Sequence, residues 1–167
     1  MTAEDIMRTA HAAVDAARGA ILPHFRDVRL HAENKDASGF DPVTLADRAG
    51  ERAMRDIIAA MRPEDAIMGE EYGPRAGTSG LTWMLDPIDG TRGFLSGTPT
   101  WGVLLAVSDA SGPVYGIIDQ PYIGERFEGG FGRAVLHGPH GQKGLGTRPA
   151  RARCDAILFT TFPEVGS

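Results

Sequence analysis

WMLDPIDGTRGF, residues 83–94, places an apolar run directly before two aspartates. Asp86 and Asp89 lie three residues apart, and Gly90 and Thr91 follow at once. Two carboxylates at the end of a buried strand repel each other and lose hydration, so the pattern is costly unless positive charge compensates. Carboxylates beside a tight backbone turn suit a hard cation with oxygen ligands, typically Mg²⁺. The stretch therefore predicts a buried strand that ends in a metal site.

A second acidic pair, Glu70 and Glu71, follows a shorter apolar run upstream. If the two strands are neighbours, Glu70 approaches Asp86 and supplies a third carboxylate, whereas Glu71 has an equally good interpretation as surface charge. The carbonyl oxygen of Ile88, fixed by the preceding proline, is a further candidate ligand. Such a set supports two or more Mg²⁺ ions, which together activate water and stabilise a leaving oxygen.

The residues that follow the aspartates suit an anion. Gly90 allows close approach of the backbone, and residues 91–94 are predicted to open a helical turn. Free amides at the start of a helix point towards an anion and favour it. A bound metal on one side of this turn and free amides on the other would together suit a phosphate group. The alternative is a solvated turn after a strand, because Asp, Pro and Gly all favour turns.

Hydrophobic periodicity predicts two helices before a series of strands. The first runs from Thr2 to about His24, with its apolar face formed by Ile6, Ala10, Val14, Ala17 and Ile21. The second runs from about Val43 to Met61, with one face formed by Ala46, Ala49, Ala53, Ile57 and Met61. Between them, residues 27–40 are predicted to form a short strand or hairpin and a loop.

Apolar runs bounded by Gly, Pro, Asp and Ser predict buried strands after the second helix. These runs are AIMG, LTWML, WGVLLAVSD, VYGIID and AILFTTF, at residues 66–69, 81–85, 101–109, 114–119 and 156–162. PRAGTSG (residues 74–80) is predicted to be a flexible, exposed connection, and residues 130–144 a twisted hairpin with glycine-rich turns. The fold class is therefore α+β, with helices layered on a mainly antiparallel sheet.

The composition excludes several classes of function. The 167 residues suffice for one domain with a real core, and the net charge of −5 argues against non-specific nucleic-acid binding. Cys154 is the single cysteine, which excludes an internal disulfide and a cysteine-built metal site. The amino terminus lacks the apolar core of a signal peptide, and no apolar run approaches the length of a membrane span. We expect a cytoplasmic protein with no nucleic-acid or membrane partner.

Three blocks together resemble a known family: DPVTLADR (residues 41–48), GEE (residues 69–71) and WMLDPIDGTRGF. Their order and spacing are similar to those of the inositol monophosphatase family of Mg²⁺-dependent, lithium-sensitive phosphatases. The resemblance implies the amino-terminal part of that family's α/β sandwich and two or three bound Mg²⁺ ions, with Mn²⁺ as a substitute. The metal ligands that it implies are Glu70, Asp86, Asp89 and the Ile88 carbonyl.

The same resemblance implies how the remaining site residues act. The Gly90 and Thr91 amides would hold the phosphate, with Lys35 nearby on a mobile loop. Asp47 and the Thr91 hydroxyl would orient the attacking water. Two alternatives stay open: Lys35 as a solvated loop lysine, and Asp47 as the fourth residue of a helix capping box begun by Thr44.

Arg92 and the segment GIIDQPYIGERFEGG (residues 116–130) are more similar to the histidinol-phosphatase branch than to the inositol branch. The expected function is hydrolysis of a small phosphate monoester by metal-activated water, with histidinol phosphate first and inositol 1-phosphate second. The expected partner is a small phosphorylated metabolite, and a homodimer is compatible with the sequence.

One departure from the family limits this expectation. Family members continue well beyond this length into a W-D-x-A block that supplies another aspartate, and the block does not occur in this sequence. Residues 1–167 are therefore expected to be a single amino-terminal phosphatase domain, without the carboxy-terminal domain of the family. A non-catalytic module that binds metal or another protein is the alternative from a different class.

Overall fold

The protein's structure, a computed structural model, describes residues 2–27, 32–34 and 42–157. Helix α1 spans Ala3–Ile21 and continues into a single 3₁₀ turn, Leu22–His24. Helix α2 spans Leu45–Met61. Each begins with a capping box, in which a threonine and the aspartate three residues later bond to each other's backbone amides. Both predicted helices are confirmed to within three residues at each end.

A sheet of eight strands carries the rest of the described fold. Its strands are β3 (Ala66–Gly69), β4 (Gly73–Arg75), β5 (Thr82–Asp89), β6 (Gly102–Asp109), β7 (Gly112–Gln120), β8 (Glu125–Gly130), β9 (Arg133–Gly138) and β10 (Gly141–Gly144). The spatial order is β10-β9-β8-β7-β6-β5-β3-β4. Only β3 and β5 pair in parallel within this sheet, and every other neighbouring pair is antiparallel. The predicted α+β class with a mainly antiparallel sheet is confirmed.

A small two-stranded sheet lies before α2. Strands β1 (Ala32–Asn34) and β2 (Pro42–Thr44) pair antiparallel, with Ala32 opposite Thr44. The short strand predicted between residues 27 and 40 is thus present as β1. Helix α3 (Thr91–Leu95) joins β5 to β6.

The hydrophobic core lies between the helices and one face of the large sheet. All five residues predicted for the apolar face of α1 are buried. On the sheet, the side chains that alternate towards the helices include Trp83, Leu105 and Ile117, each at most 2% exposed. Alternation along these strands therefore positions one face against α1 and α2 and turns the other away.

The buried face of α2 differs from the predicted one. Of the predicted positions only Ala46 is buried, whereas Met61 is exposed. The buried residues are Ala46, Asp47, Gly50, Glu51, Met54 and Ile58. The predicted face is wrong because it was chosen from apolar residues alone and so left out Asp47 and Glu51, which are both buried and hydrogen-bonded.

Residues 74–80 are mostly exposed, as predicted, but they are not a free connection. Pro74 and Arg75 belong to β4, paired with β3, and the amides of Thr78 and Ser79 donate to the Glu64 carbonyl. The segment is held by backbone hydrogen bonds rather than being a free connection. The hairpin predicted for residues 130–144 is confirmed as β9–β10. The strand predicted at residues 156–162 falls mostly outside the described residues.

The second face of the large sheet is apolar and open. A groove of about 790 Å³ runs across β3 and β5–β8 on this face. Met68 and Ile118 on it are 55% and 52% exposed. Glu70 and Asp86 lie at one edge of this groove.

Charged contacts join α1 to β7 and β8 at the far side of the core. Arg18 donates to both carboxylate oxygens of Asp119, at 3.1 and 2.6 Å. Arg126 donates to the same carboxylate at 2.8 Å and to Asp15 of α1 at 2.6 Å. Asp119 is fully buried, so this arrangement supplies the partners that a buried carboxylate requires.

Glu128 is the centre of a second set of these contacts. It accepts hydrogen bonds from the Tyr115 hydroxyl at 2.7 Å and from Arg133 at 2.5 Å, and it lies 2.5 Å from His11 Nε2. Burial alone would raise the pKa of Glu128, but the hydrogen bonds from Tyr115, His137 and His11 outweigh it and lower the pKa to about 2.

This lowered pKa predicts a defined pH dependence of stability. A depressed carboxyl pKa stabilises the fold fully above the unfolded value of 4.5 and progressively less as the pH falls towards 2. Glu128→Gln should therefore lower the free energy of unfolding by about 2–3 kcal/mol at pH 6, and by clearly less at pH 3. Urea unfolding at both values measures this. Glu125→Gln in the same strand is the matched control, and an equal pH trend in both variants would refute the assignment.

Among the residues that the structure describes, no helix is long and apolar enough to span a bilayer.

Candidate functional site

The parallel pairing of β3 and β5 brings the two acidic motifs together. Gly69 lies opposite Leu85, and the Glu70 amide donates to the Leu85 carbonyl at 3.3 Å. Because the two strands run parallel in this register, Glu70, directly after β3, lies beside Asp86, which is still within β5 and opposite Leu104 of β6. The predicted approach of these two carboxylates is therefore present.

An irregular turn at the end of β5 carries the second aspartate. The pairing of β5 with β6 shifts register between Asp86 and Asp89, so that Asp89 lies opposite Gly102. Within the turn, the Ile88 amide donates to Asp86 Oδ1 at 3.1 Å. The buried Ile88 side chain anchors the turn in the core and leaves Asp89 exposed.

Crowding of the carboxylates has a clear electrostatic effect. Burial raises the pKa of Asp86 to about 7, and the neighbouring charges of Glu70 and Asp89 act in the same direction. A cation beside these oxygens would relieve both costs, and a set of oxygen donors suits Mg²⁺ in particular. The donor set therefore fits the predicted metal. Within the described ranges, no three His, Cys, Asp or Glu side chains are already arranged as a metal-ion site.

The turn predicted to hold an anion begins at Gly90, which precedes α3. Gly90 has φ 87° and ψ 39°, a left-handed conformation that favours glycine. A Cβ at this position would lie 2.7 Å from the Thr100 carbonyl oxygen, so the turn also requires the absence of a side chain. The Phe94 amide donates to the Gly90 carbonyl at 3.1 Å. The predicted helical turn after the aspartates is confirmed.

The Thr91 hydroxyl points back to the turn. It donates to the Ile88 carbonyl oxygen at 3.0 Å. The carbonyl that was predicted as a metal ligand thus faces the same side as Thr91, and its second lone pair is available in principle to another partner. The assignment of Ile88 as a ligand stays a prediction.

Asp47 forms the capping box of α2. Its Oδ2 accepts from the Thr44 amide at 2.8 Å and from the Thr44 hydroxyl at 2.5 Å, and its side chain is buried. One turn further, a Cβ on Gly50 would lie 3.1 Å from Pro87 Cβ, so this face of α2 packs against the DPID turn. The structure supports the capping role directly. The predicted pairing of Asp47 with Thr91 stays a prediction.

Glu51 lies close to the site and was not predicted from the sequence. Its fully buried carboxylate accepts from the amides of Glu71 and Tyr72, at 2.6 and 3.2 Å, and from Arg55 Nε at 2.7 Å. Glu51 therefore fixes the turn that starts at Glu70. Any Cβ on Gly69 would overlap the Glu51 carboxylate, which explains the glycine before the acidic pair. Its position could have indicated this, because Glu51 follows Asp47 by four residues and therefore lies on the same face of the helix.

Lys35, the remaining predicted site residue, lies outside the described residues.

Comparison with known proteins decides the family. The model of the inositol monophosphatase family matches residues 2–164. The chain belongs to the inositol monophosphatase family. It is 38% identical over 127 residues to a histidinol-phosphatase of Streptomyces coelicolor, an alignment that covers 74% of this chain and 47% of the relative. It is also 38% identical over 160 residues to the chloroplastic bifunctional phosphatase IMPL2 of Arabidopsis thaliana, with 94% and 44% covered.

Solved structures of the inositol monophosphatase family share the fold. An inositol monophosphatase from Zymomonas mobilis superposes with a TM-score of 0.71 and 38% identity, over 90% of this chain and 56% of that one. The chain thus spans about half the length of the relatives that it matches. The predicted family resemblance is confirmed, including its correspondence to the amino-terminal part of the longer relatives.

Members of this family are phosphatases that act on small phosphorylated metabolites and generally depend on Mg²⁺. The names of the relatives divide between histidinol-phosphatase and inositol monophosphatase.

Proposed function

We propose that this chain forms the metal- and phosphate-binding part of a Mg²⁺-dependent phosphomonoesterase. The observation that carries the proposal is the parallel β3–β5 pairing, which places Glu70 beside Asp86 next to the Gly90 turn. Carboxylates and exposed amides on adjoining sides form a surface that suits a phosphate group and a cation together. Family membership supports the same reaction class.

Four oxygen donors would hold the cation: the carboxylates of Glu70, Asp86 and Asp89 and the Ile88 carbonyl. When bound, Mg²⁺ would neutralise charge on the phosphate and lower the pKa of water. The raised pKa of Asp86 supports this assignment, because the carboxylate is poorly compensated by the protein alone.

The turn from Gly90 to Thr91 would bind the phosphate oxygens through its amides. At the start of α3 these amides lack carbonyl partners within the helix, so they are suited to an anion. The Thr91 hydroxyl, oriented by its bond to the Ile88 carbonyl, can accept a hydrogen bond from the attacking water. For Asp47 to act as the base, the Thr91 hydroxyl would turn from the Ile88 carbonyl to the Asp47 carboxylate. It would then pass its own proton to Asp47 as it accepts the proton of the water. Direct attack by water leaves no phosphorylated protein side chain.

Histidinol phosphate is the first proposed substrate. The histidinol-phosphatase of Streptomyces coelicolor shares 38% identity with this chain, and Arg92 with the segment 116–130 resembles that branch. Inositol 1-phosphate is the second, supported by the 38% identity to the Zymomonas mobilis inositol monophosphatase. Both are small monoesters with a hydroxyl or amine close to the phosphate.

A substrate panel tests the proposal. We expect the longest expressible chain containing residues 1–167 to release phosphate from histidinol phosphate faster than from inositol 1-phosphate or adenosine 3′,5′-bisphosphate, and only with Mg²⁺. Mg²⁺ should also raise its melting temperature by mass action. Asp86→Asn should reduce both effects because it removes one charged ligand.

Asp109→Asn, at the exposed end of β6, is the matched control and should leave both effects intact. Phosphate release without Mg²⁺ would contradict the metal assignment. No release from any substrate, together with a melting temperature indifferent to Mg²⁺, would favour a non-catalytic module.

A further inference from the structure

Arg26 has an unusual backbone conformation for its residue type. Its φ is 63°, in the left-handed region that favours glycine, although it is an arginine two residues after the first helical segment. A non-glycine residue in this region is uncommon and persists only where its surroundings hold it there. The contacts of the side chain show what holds it.

The Arg26 guanidinium joins two separate loops. Its Nε donates to the Gly97 carbonyl at 2.9 Å, and its Nη1 donates to the Tyr122 hydroxyl at 2.6 Å. The guanidinium carbon also lies 4.6 Å from the centroid of the Tyr122 ring and 5.0 Å from that of Phe25. A cation above aromatic faces is attracted to them, so an exposed arginine is fixed in one position.

Gly97 belongs to the segment on which the Gly90 turn rests. The Thr98 amide donates to the Gly93 carbonyl at 3.0 Å, which folds residues 96–100 back onto α3. The Thr100 carbonyl oxygen would lie 2.7 Å from a Cβ on Gly90 and 2.9 Å from one on Gly93. Because neither residue has a Cβ, the Thr100 backbone at the end of this segment packs directly against the turn.

The neighbouring residue, Phe25, packs against α3 in the hydrophobic core. Its ring centroid lies 5.3 Å from that of Phe94 in α3 and 5.3 Å from that of Trp101, and the latter two are 4.9 Å apart. Phe94 and Trp101 are buried. Phe25 thus contacts α3 through its aromatic ring, and Arg26 contacts the loop that follows α3 through its guanidinium.

We infer that Arg26 is a positioning residue for the Gly90–Thr91 turn. Its hydrogen bond holds the loop of residues 96–100 in place. That loop in turn sets the position of the Gly90–Thr91 turn, whose amides would bind phosphate. The role of the turn rests on the proposed function, whereas the mechanical link from Arg26 to the turn does not. Misplacing a binding group by about 1 Å can cost on the order of 10²-fold in rate, so the link has a functional consequence.

Three variants test the inference. Arg26→Asn keeps a residue that tolerates the left-handed backbone and removes the guanidinium. Arg26→Lys keeps the charge but cannot make both hydrogen bonds with the same geometry. Arg8→Asn is the matched control, because Arg8 is exposed and bonds to Asp5 of its own helix.

We expect Arg26→Asn to lower kcat by roughly tenfold to a hundredfold and to weaken inhibition by inorganic phosphate to a similar degree. Arg26→Lys should fall between it and the wild type. Hydrogen exchange followed by mass spectrometry should show faster exchange in residues 90–100 of Arg26→Asn, with little change elsewhere. Arg8→Asn should match the wild type in all three measurements.

Unchanged exchange in residues 90–100 would overturn the inference, and so would a lowered melting temperature with kcat and phosphate inhibition unchanged. If the wild type releases no phosphate from any substrate, the proposed function fails, and the exchange measurement still decides the link from Arg26 to the turn.

Discussion

Replacing Asp47 by asparagine is expected to lower kcat by roughly 10²–10⁴ with little change in KM. The reason is the position of its carboxylate, buried on the face of α2 that packs against the DPID turn. If Asp47 accepts the proton of the attacking water through the Thr91 hydroxyl, its amide analogue cannot do so. Thr91→Ala should then cost a similar factor, and the double variant little more, because the two residues act as one unit.

The capping role of Asp47 predicts a different result, and the chain offers a matched control. Asp5 occupies the same position in the capping box of α1, with Thr2 as its partner. Asp5→Asn should lower the free energy of unfolding slightly and leave turnover intact. Steady-state kinetics of the two single variants and the double variant, on the longest expressible chain, separate the roles. Independent, multiplying losses at Asp47 and Thr91 would return Asp47 to a purely structural role.

Replacing Glu51 by alanine is expected to destabilise the fold by about 3–5 kcal/mol. The change removes a fully buried carboxylate and leaves Arg55 and the amides of Glu71 and Tyr72 without this acceptor. Because those amides belong to the turn after β3, the stabilisation of the protein by Mg²⁺ should weaken as well. Urea unfolding with and without Mg²⁺ measures both effects.

Asp56→Ala is the appropriate control for Glu51, because Asp56 is an exposed acidic residue of the same helix. It should change the free energy of unfolding by less than about 0.5 kcal/mol. A Glu51 variant as stable as this control would mean that the three hydrogen bonds make no net contribution to the free energy of unfolding. A large loss of stability with an unchanged response to Mg²⁺ would separate Glu51 from the metal site.

The sequence predicts that Glu70 lies near Asp86, because each acidic residue directly follows or ends an apolar run that forms a strand. Asp86 and Asp89 follow an apolar run, and Glu70 follows the one before it, so a neighbouring pair of strands is enough to bring Glu70 and Asp86 together. The apolar face of α1 is equally clear, because it contains no charged residue.

Where the sequence prediction fails, a polar residue is buried with partners that are distant in the chain. Glu51 lies on the core side of α2 because the amides of residues 71 and 72 satisfy it, and hydrophobic periodicity treats such a residue as exposed. The segment 74–80 has the composition of a loop, yet its backbone bonds to residues 64–69. Arg26 gives no signal at all, since its partners are 71 and 96 residues away.

The charged contacts of α1 have a consequence for the order in which the protein is assembled during synthesis. His11 is separated from Glu128 by 117 residues, and Arg18 from Asp119 by 101. At a ribosomal rate of about 5–20 residues per second, those partners emerge roughly 5–25 s after the helix. Helix α1 can pack on α2 long before then, but its charged contacts with β7 and β8 cannot yet form. Helix α1 is therefore synthesised well before the strands that hold its charged residues, and those residues stay hydrated until β7 and β8 have emerged.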